Sequence, residues 1–420
     1  MRQMKDSRIE WIEGLPGHWK EIPNRYLFVD NSTKVGENWE NYQLLSLTTS
    51  GVKQKDPNVG GGKVPESYET YQTVQVGDMV FCLFDLDCSA VFSGLSNYDG
   101  MITSAYDVFM PNGEYLDSLY ADYWFQYVFS NRYYKMYSKN LRYTITSEMF
   151  KSIFTPIPSL TEQRKIGEFL LRKDKQIAEL IANQQAQIEK LKEYKQSIIT
   201  EAVTKGLDKS APMKDSGIAW LGDIPLHWIK IKNKVLFKNV SIKGYGDATV
   251  LSLYRDHGVV PKDSRDDNHN VTSLDTDSYK YVQPDDLVIN KMKAWSGSIA
   301  ITDYEGIVSP AYYTCKVNYR YVDKRFIHHY LRNKHLVGVY KMYSAGLREG
   351  QWDLSIDDFQ NIEIVVPPTL GEQIDIAKFI DDKCDRIDKL ITLKQQKIEK
   401  LQEYKKSLIY EYVTGKKEVI

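Results

Sequence analysis

The sequence predicts an α+β protein built as a tandem duplication: a β-rich domain plus a long helix, twice over, with the two long helices forming an antiparallel coiled coil of pseudo-two-fold symmetry. Three observations carry this. A helical pattern over 159–206 recurs from residue 369, an offset of 210 in a chain of 420 residues. The stretch MKDSRIEWIEGLPGHW at 4–19 returns as MKDSGIAWLGDIPLHW at 213–228. Between these lie segments of short β-type runs whose frameworks match while their loops differ.

The long helices carry their own start signals. Ser159 with Glu162, and Thr369 with Glu372, have the spacing of a capping box, each directly after a proline. Past the first turns neither meets Pro or Gly until Gly206 or Gly415. Ile177, Leu180, Gln184, Gln187, Leu191, Tyr194 and Ile198 fall on one heptad frame, and Ile387, Leu390, Lys394, Lys397, Leu401, Tyr404 and Leu408 repeat it. A seam that is polar in its middle trades stability for register, so the two helices are expected to pair with each other. About 44 residues at 1.5 Å rise make a rod of roughly 65 Å.

The expected organisation is an N-terminal docking segment at 1–19, a first β-rich domain at 20–158, the first long helix at 159–206, a linker with the repeated docking segment at 207–228, a second β-rich domain at 229–368 and the second long helix at 369–420. The Trp-containing segments read as fasteners of each repeat onto its neighbour. His18 and His227 read as hydrogen-bonded structural residues, since no His, Cys or carboxylate cluster travels with them. In the β-rich segments, VLSLYRDHGVV answers LLSLTTSGV and VQPDDLVINKM answers VQVGDMVFCLF. Their β-branched and aromatic runs, broken by glycines, are strand signals.

Composition bounds the class. With 55 basic and 56 acidic residues there is no basic excess of the kind that announces many nucleic-acid binders, although acidic helices can mask basic patches elsewhere. No apolar run has transmembrane length and the first residues carry no export leader, so a cytoplasmic protein with no membrane partner is expected. Four cysteines match no zinc spacing. The thirty tyrosines suit a recognition surface and a β-rich core equally. GGGK at 60–63 lacks the rest of a phosphate-binding loop, and His328, His329 and His335 lack a metal-binding pattern. Asp285 and Asp286 read as the start of a strand. These patterns place no catalytic residue, cofactor site or metal site in the chain.

At IPSLTEQRKIGEFL and VPPTLGEQIDIAKFI, at KMKAWSGSIAITDYEGIVSPAY, and at WIEGLPGHW and WLGDIPLHW, the chain resembles the specificity (S) subunit of Type I restriction-modification systems, over essentially its whole length. The resemblance implies a non-catalytic subunit with two target recognition domains held apart by antiparallel helices. It implies as partners double-stranded DNA, two methyltransferase (M) subunits and restriction (R) subunits. It also implies a bipartite, asymmetric site methylated on adenine, with S-adenosylmethionine held by the methyltransferase, and ATP and Mg by the restriction partner. Half-site centres about one helical turn apart, roughly 10 base pairs, would suit two related domains on such a frame. The alternative is a coiled-coil scaffold whose two β domains bind proteins, which the near-neutral charge favours.

Candidate DNA-binding residues follow from side-chain chemistry in polar, glycine-flanked loops. In the second domain they are Arg255 and His257 in LYRDHG, Lys291, Lys293 and Trp295 in INKMKAWSG, and Arg348, Gln351 and Trp352 in AGLREGQW. Cations meet phosphates, and Arg and Gln are the favoured partners of guanine and adenine. In the first domain they are Lys53, Gln54, Lys55, Lys63, Arg142, Tyr143 and Thr144. There FDLDCSAVFSG replaces NKMKAWSGS, putting Asp85 and Asp87 where the other domain has cations.

Overall fold

The computed structural model describes residues 3–56, 67–86, 89, 91–138, 143–255, 257–264, 276–346 and 352–419. The chain forms two compact units, Met1–Gln184 with Gln395–Ile420, and Gln185–Lys394. The units therefore do not follow chain order. Each takes one β-rich domain, the N-terminal half of the helix that follows it and the C-terminal half of the other long helix.

In the first unit a four-stranded antiparallel sheet has the spatial order Phe28–Asp30, Asp107–Pro111, Met79–Phe81, Ser93–Leu95. The hairpin Leu45–Thr48 with Gly51–Gln54 and the ribbon Gln72–Val74 with Gly100–Ile102 complete the β structure around it. The second unit repeats every element: a sheet ordered Phe237–Val240, Tyr312–Val317, Leu287–Asn290, Ile299–Ile301, a hairpin Leu251–Tyr254 with Gly258–Pro261, and a ribbon Lys280–Val282 with Gly306–Val308. Helix Ser118–Ser130, capped by Asp117, covers the first sheet. Lys324–Leu331, capped by Asp323, takes that place in the second.

Many of the tyrosines serve the core. Tyr120 and Tyr134 in one unit and Tyr330 and Tyr340 in the other are fully or almost fully buried. The first core is dominated by aromatic rings: Phe81 meets Phe92, Phe109, Phe125 and Phe150 with centroids between 4.7 and 5.9 Å, the range in which ring pairs add to plain burial.

The long helices span Leu160–Lys205 and Leu370–Val413. Ser159 Oγ accepts from Glu162 N and Thr369 Oγ1 from Glu372 N, both at 3.3 Å, so the predicted N-caps form. Inside the first unit the helix halves run antiparallel, with Phe169 against Tyr412 and Asp174 bound to Lys405 at 2.5 Å. Inside the second, Lys195 binds Asp388 at 2.6 Å.

The buried face of the long helices differs in part from the predicted heptad frame. Ile177, Ile198, Ile387 and Leu408 are buried, and Leu191 and Leu401 are half-buried. Leu180, Tyr194, Leu390 and Tyr404 face outward, between 46% and 57% exposed. One residue after Leu180, Gln187 and Tyr194 come the buried or half-buried Ile181, Ile188 and Lys195, and one after Leu390, Lys397 and Tyr404 come Ile391, Ile398 and Lys405. Lysine stems can line a helix contact while the ammonium reaches a carboxylate at its rim, and Asp388 and Asp174 are those carboxylates.

The Glu-Gln pair at each helix start joins frame to domain. Glu162 receives His18 Nε2 at 2.9 Å and Trp19 Nε1 at 3.3 Å, while Glu372 receives His227 Nε2 and Trp228 Nε1, each at 2.9 Å. Both histidines are thus hydrogen-bonded structural residues. Gln163, fully buried, donates to the carbonyls of Tyr115 and Pro158 and accepts from Asp117 N at 2.8 Å. Gln373 makes the same three bonds with Tyr321, Pro367 and Asp323. Trp19 also shares a core with Leu408, Ile409 and Val413 of the other repeat. Gly415, at φ +68°, closes that end: a Cβ there would lie 3.0 Å from Trp19 Cζ2 and 2.7 Å from Pro16 Cδ.

Candidate nucleic-acid interface

In the second unit the strand Leu287–Asn290 runs out into a loop shaped by its own side chains. Asn290 Oδ1 accepts from Met292 N at 3.2 Å, and Trp295 Nε1 donates to Met292 O at 2.9 Å. Gly297, at φ +94°, then reverses the chain, a backbone region that a side chain disfavours. Across from it runs the segment around Trp352: Leu354 N donates to Lys291 O at 3.0 Å, and Lys291 Nζ binds Asp353 at 2.9 Å. That hydrogen bond raises the Lys291 pKa, so the side chain stays cationic. Trp295 and Trp352 meet edge to face at 5.4 Å, and the Lys341 ammonium stands 5.6 Å from the Trp352 ring.

Arg255 and His257, both exposed, occupy the hairpin turn before Gly258. Arg255 reaches the same loop, since a Cβ on Gly297 would lie 3.7 Å from its Cγ. The structure therefore gathers Arg255, Lys291, Trp295 and Trp352 from three separate stretches, with Lys293 exposed on the same turn. Arg348 and Gln351 lie outside the described residues.

Lys280 stands beside this group without a distinguishing signal in the sequence. It donates to Tyr312 O, stands 5.6 Å from the Tyr313 ring, and has its pKa lowered by burial and then by Lys243 and Lys291. Lysines that repel one another form a surface suited to phosphate. Its only signal is a lysine opening a strand, among many lysines.

The first unit joins the corresponding loops by the same bond. Ile145 N donates to Leu83 O at 2.8 Å, as Leu354 N does to Lys291 O. Tyr143, at φ +48°, and Thr144 are half-buried here, with the Lys135 ammonium 4.7 Å from the Tyr143 ring. Asp85 stands two residues after Leu83, where the other unit has Lys293 two residues after Lys291. Lys53 and Gln54 lie exposed on the hairpin strand Gly51–Gln54, paired with Ser46 and Leu45, and Lys55 continues it. Lys63, Asp87 and Arg142 lie outside the described residues.

Residues 226–403, spanning most of the second unit, match the family model of the Type I restriction modification DNA specificity domain. That segment carries the Type I restriction modification DNA specificity domain. The putative type I restriction enzyme MjaX specificity subunit of Methanocaldococcus jannaschii is 25% identical over 320 residues, 73% of this chain and 69% of that protein. Two solved structures share the fold at 14% identity. A chain from a type I R-M system, solved for its complex assembly and conformational transition, matches with a TM-score of 0.70 over 95% of this chain and 98% of its own length. The HsdS subunit of Thermoanaerobacter tengcongensis matches at 0.52 over 96% and 98%. The paired loops are where framework and side chains part company. Among the described residues no helix is long and apolar enough to cross a membrane.

Proposed function

We propose that this chain is the DNA sequence-recognition subunit of a cytoplasmic Type I restriction-modification complex, in which each β-rich domain reads one half of a bipartite, asymmetric site. The observation that carries this is the shared loop pair. Both domains build it on the same sheet order and close it with the same hydrogen bond, yet one presents Lys291, Trp295 and Trp352 and the other Asp85, Tyr143 and Thr144. Equal frames with unequal readers suit two different half-sites.

The residues support a division of labour. Lys291, Lys293 and Lys280 supply positive charge for phosphates, which positions a duplex without reading it. Arg255 and the two tryptophans offer bidentate hydrogen bonding and flat apolar faces. In the first domain an acidic side chain such as Asp85 accepts from the cytosine amine, while Lys53, Gln54 and Lys55 supply backbone contacts. Two methyltransferase subunits, carrying S-adenosylmethionine, would methylate adenine, and restriction subunits using ATP and Mg would cleave. Base methylation requires the target to leave the stack, so this chain's task is to hold the duplex in register while the partner receives the base.

Methylation-aware sequencing tests the reading: DNA from cells carrying this chain with its methyltransferase is compared with DNA from cells lacking this chain alone. A new bipartite adenine motif, its halves centred roughly 10 base pairs apart, is the expected result. No new motif, with an active methyltransferase and an intact complex, would transfer the assignment to a protein-binding scaffold, the reading that the net charge of −1 favours.

A further inference from the structure

Within domains that otherwise diverge, one pentapeptide is identical. Tyr134-Lys135-Met136-Tyr137-Ser138 in the first domain is Tyr340-Lys341-Met342-Tyr343-Ser344 in the second. The backbone does not explain this, because the first copy lies in a 3-10 turn, Tyr133–Tyr137, and the second ends the α-helix Lys334–Tyr343. Core packing explains its first residue in both copies and, in the first, also Tyr137, which packs edge to face on Trp11 at 5.4 Å. Tyr134 is 4% exposed against Phe92 and Phe150, and Tyr340 is 0% exposed against Phe359. Met136 and Met342, by contrast, are 55% and 81% exposed. A core has no use for a large apolar side chain held in water in both copies.

The lysine gives the location. Lys135 stands over the Tyr143 ring at 4.7 Å and Lys341 over the Trp352 ring at 5.6 Å. Those rings are the aromatic members of the two reading loops, each tied to its strand-ending loop by the bond from Ile145 or Leu354. The Lys-Met pair thus sits at the same place beside each reader, whatever that reader's chemistry. A surface kept constant beside surfaces that vary meets something constant at both half-sites. In a duplex that is the sugar-phosphate backbone, since base edges differ with sequence.

We infer that Lys135-Met136 and Lys341-Met342 are a shared, sequence-independent duplex clamp, the lysine on a phosphate and the methionine against the adjacent deoxyribose or an opened base step. The thioether side chain is flexible and apolar, suited to a groove wall of variable shape, and methionine is among the residues that wedge at base steps. This clamp rests on the DNA-recognition reading proposed above.

The test uses the full chain in complex with its methyltransferase. Lys135→Gln, Met136→Ala, Lys341→Gln and Met342→Ala are combined, leaving Tyr134 and Tyr340 in place. Affinity is measured by fluorescence anisotropy over a salt series, on a duplex bearing the methylated motif and on one with both half-sites scrambled. The expected result is an equal fold-loss on both duplexes, a salt slope smaller by about one per lysine, and an unchanged methylated motif. Lys135→Arg with Lys341→Arg should keep the native slope. Loss on the motif duplex alone would make these residues base readers, and unchanged affinity would remove the clamp. A variant that binds DNA normally but no longer retains methyltransferase on a sizing column would reassign the surface to that partner. If the native complex itself prefers no sequence, the recognition reading fails first, and the variant's loss on random duplex then bears on backbone contact alone.

Discussion

Single residues set the tolerances of the joint between helix end and docking segment. Gly415 and Gly206 share the left-handed backbone, at φ +68° and +72°, so Ala at either carries a similar conformational cost of about 1–2 kcal/mol. Their surroundings differ. A Cβ on Gly206 would sit at ordinary distance from Trp228 Cζ2, 3.4 Å, whereas one on Gly415 would press on Pro16 and Trp19. Gly415→Ala should therefore lower the thermal midpoint more than Gly206→Ala; equal shifts would show that the clash relaxes freely. Buried ionisable groups make a second contrast. Asp122, held by Leu95 N and Gln126 and facing Asp174 and Lys405, is pushed up to about 6, chiefly by burial. His328, near Arg332, His329, Asp303 and Asp381, is pushed down to about 3, again chiefly by burial. The native state holds a proton on Asp122 that the unfolded chain gives up between pH 4 and 6, so that contribution to stability grows as pH falls through 6. It refuses His328 the proton that the unfolded chain takes up below about 6.5, so that contribution shrinks as pH falls. Denaturant titrations from pH 7.5 to 5 should accordingly show Asp122→Asn and His328→Gln altering the pH dependence in opposite senses. Changes of the same sense would contradict the assignment.

Among elements, the long helices show both how far sequence pattern reaches and where it stops. Capping residues, length and antiparallel pairing were legible because caps and periodicity are local. The a-type positions Ile177 and Ile387 were legible too, being apolar and spaced by sevens. The companion positions were not, because Lys195 and Lys405 take part through their stems and find their carboxylates on the other helix, a fact no single helix contains. Ile188→Ala should cost about 2–4 kcal/mol as a core truncation, while Leu180→Ala, on an outward face, should change stability by no more than about 0.5 kcal/mol. Urea midpoints of the two variants decide between the frames. In the β-rich domains, the strands could be read from β-branched runs. The convergence of Arg255, Lys291 and Trp352 could not, since it depends on which hairpin folds over which loop. Lys280 was invisible for the same reason, as its setting is made by Lys243 and Lys291 from elsewhere in the chain.

At the scale of the chain, the first unit is completed by residues from the far end of the sequence. Leu408, Ile409 and Val413 belong to the core that holds Trp19 and Trp124. Deleting residues 406–420 removes several core side chains at once, and with each worth about 2–5 kcal/mol the loss is comparable to the stability of a domain. Hydrogen exchange should then show the strand pair Met4–Lys5 and Leu15–Pro16 losing protection while Met213–Asp215 and Asp223–Pro225 keep theirs. Loss confined to the second unit would contradict the composite core. The glutamine joints carry a different consequence. Gln163 and Gln373 hold the domain through carbonyl and amide groups of Tyr115, Asp117, Tyr321 and Asp323, and Asn24 and Asn233 likewise reach the carbonyls of Phe150 and Phe359 at 3.0 Å. Every residue but proline offers both groups, so these fittings do not depend on which side chains stand there. A gene exchange that replaced everything between them would deliver a different domain to an unchanged handle, without the scaffold having to change alongside it.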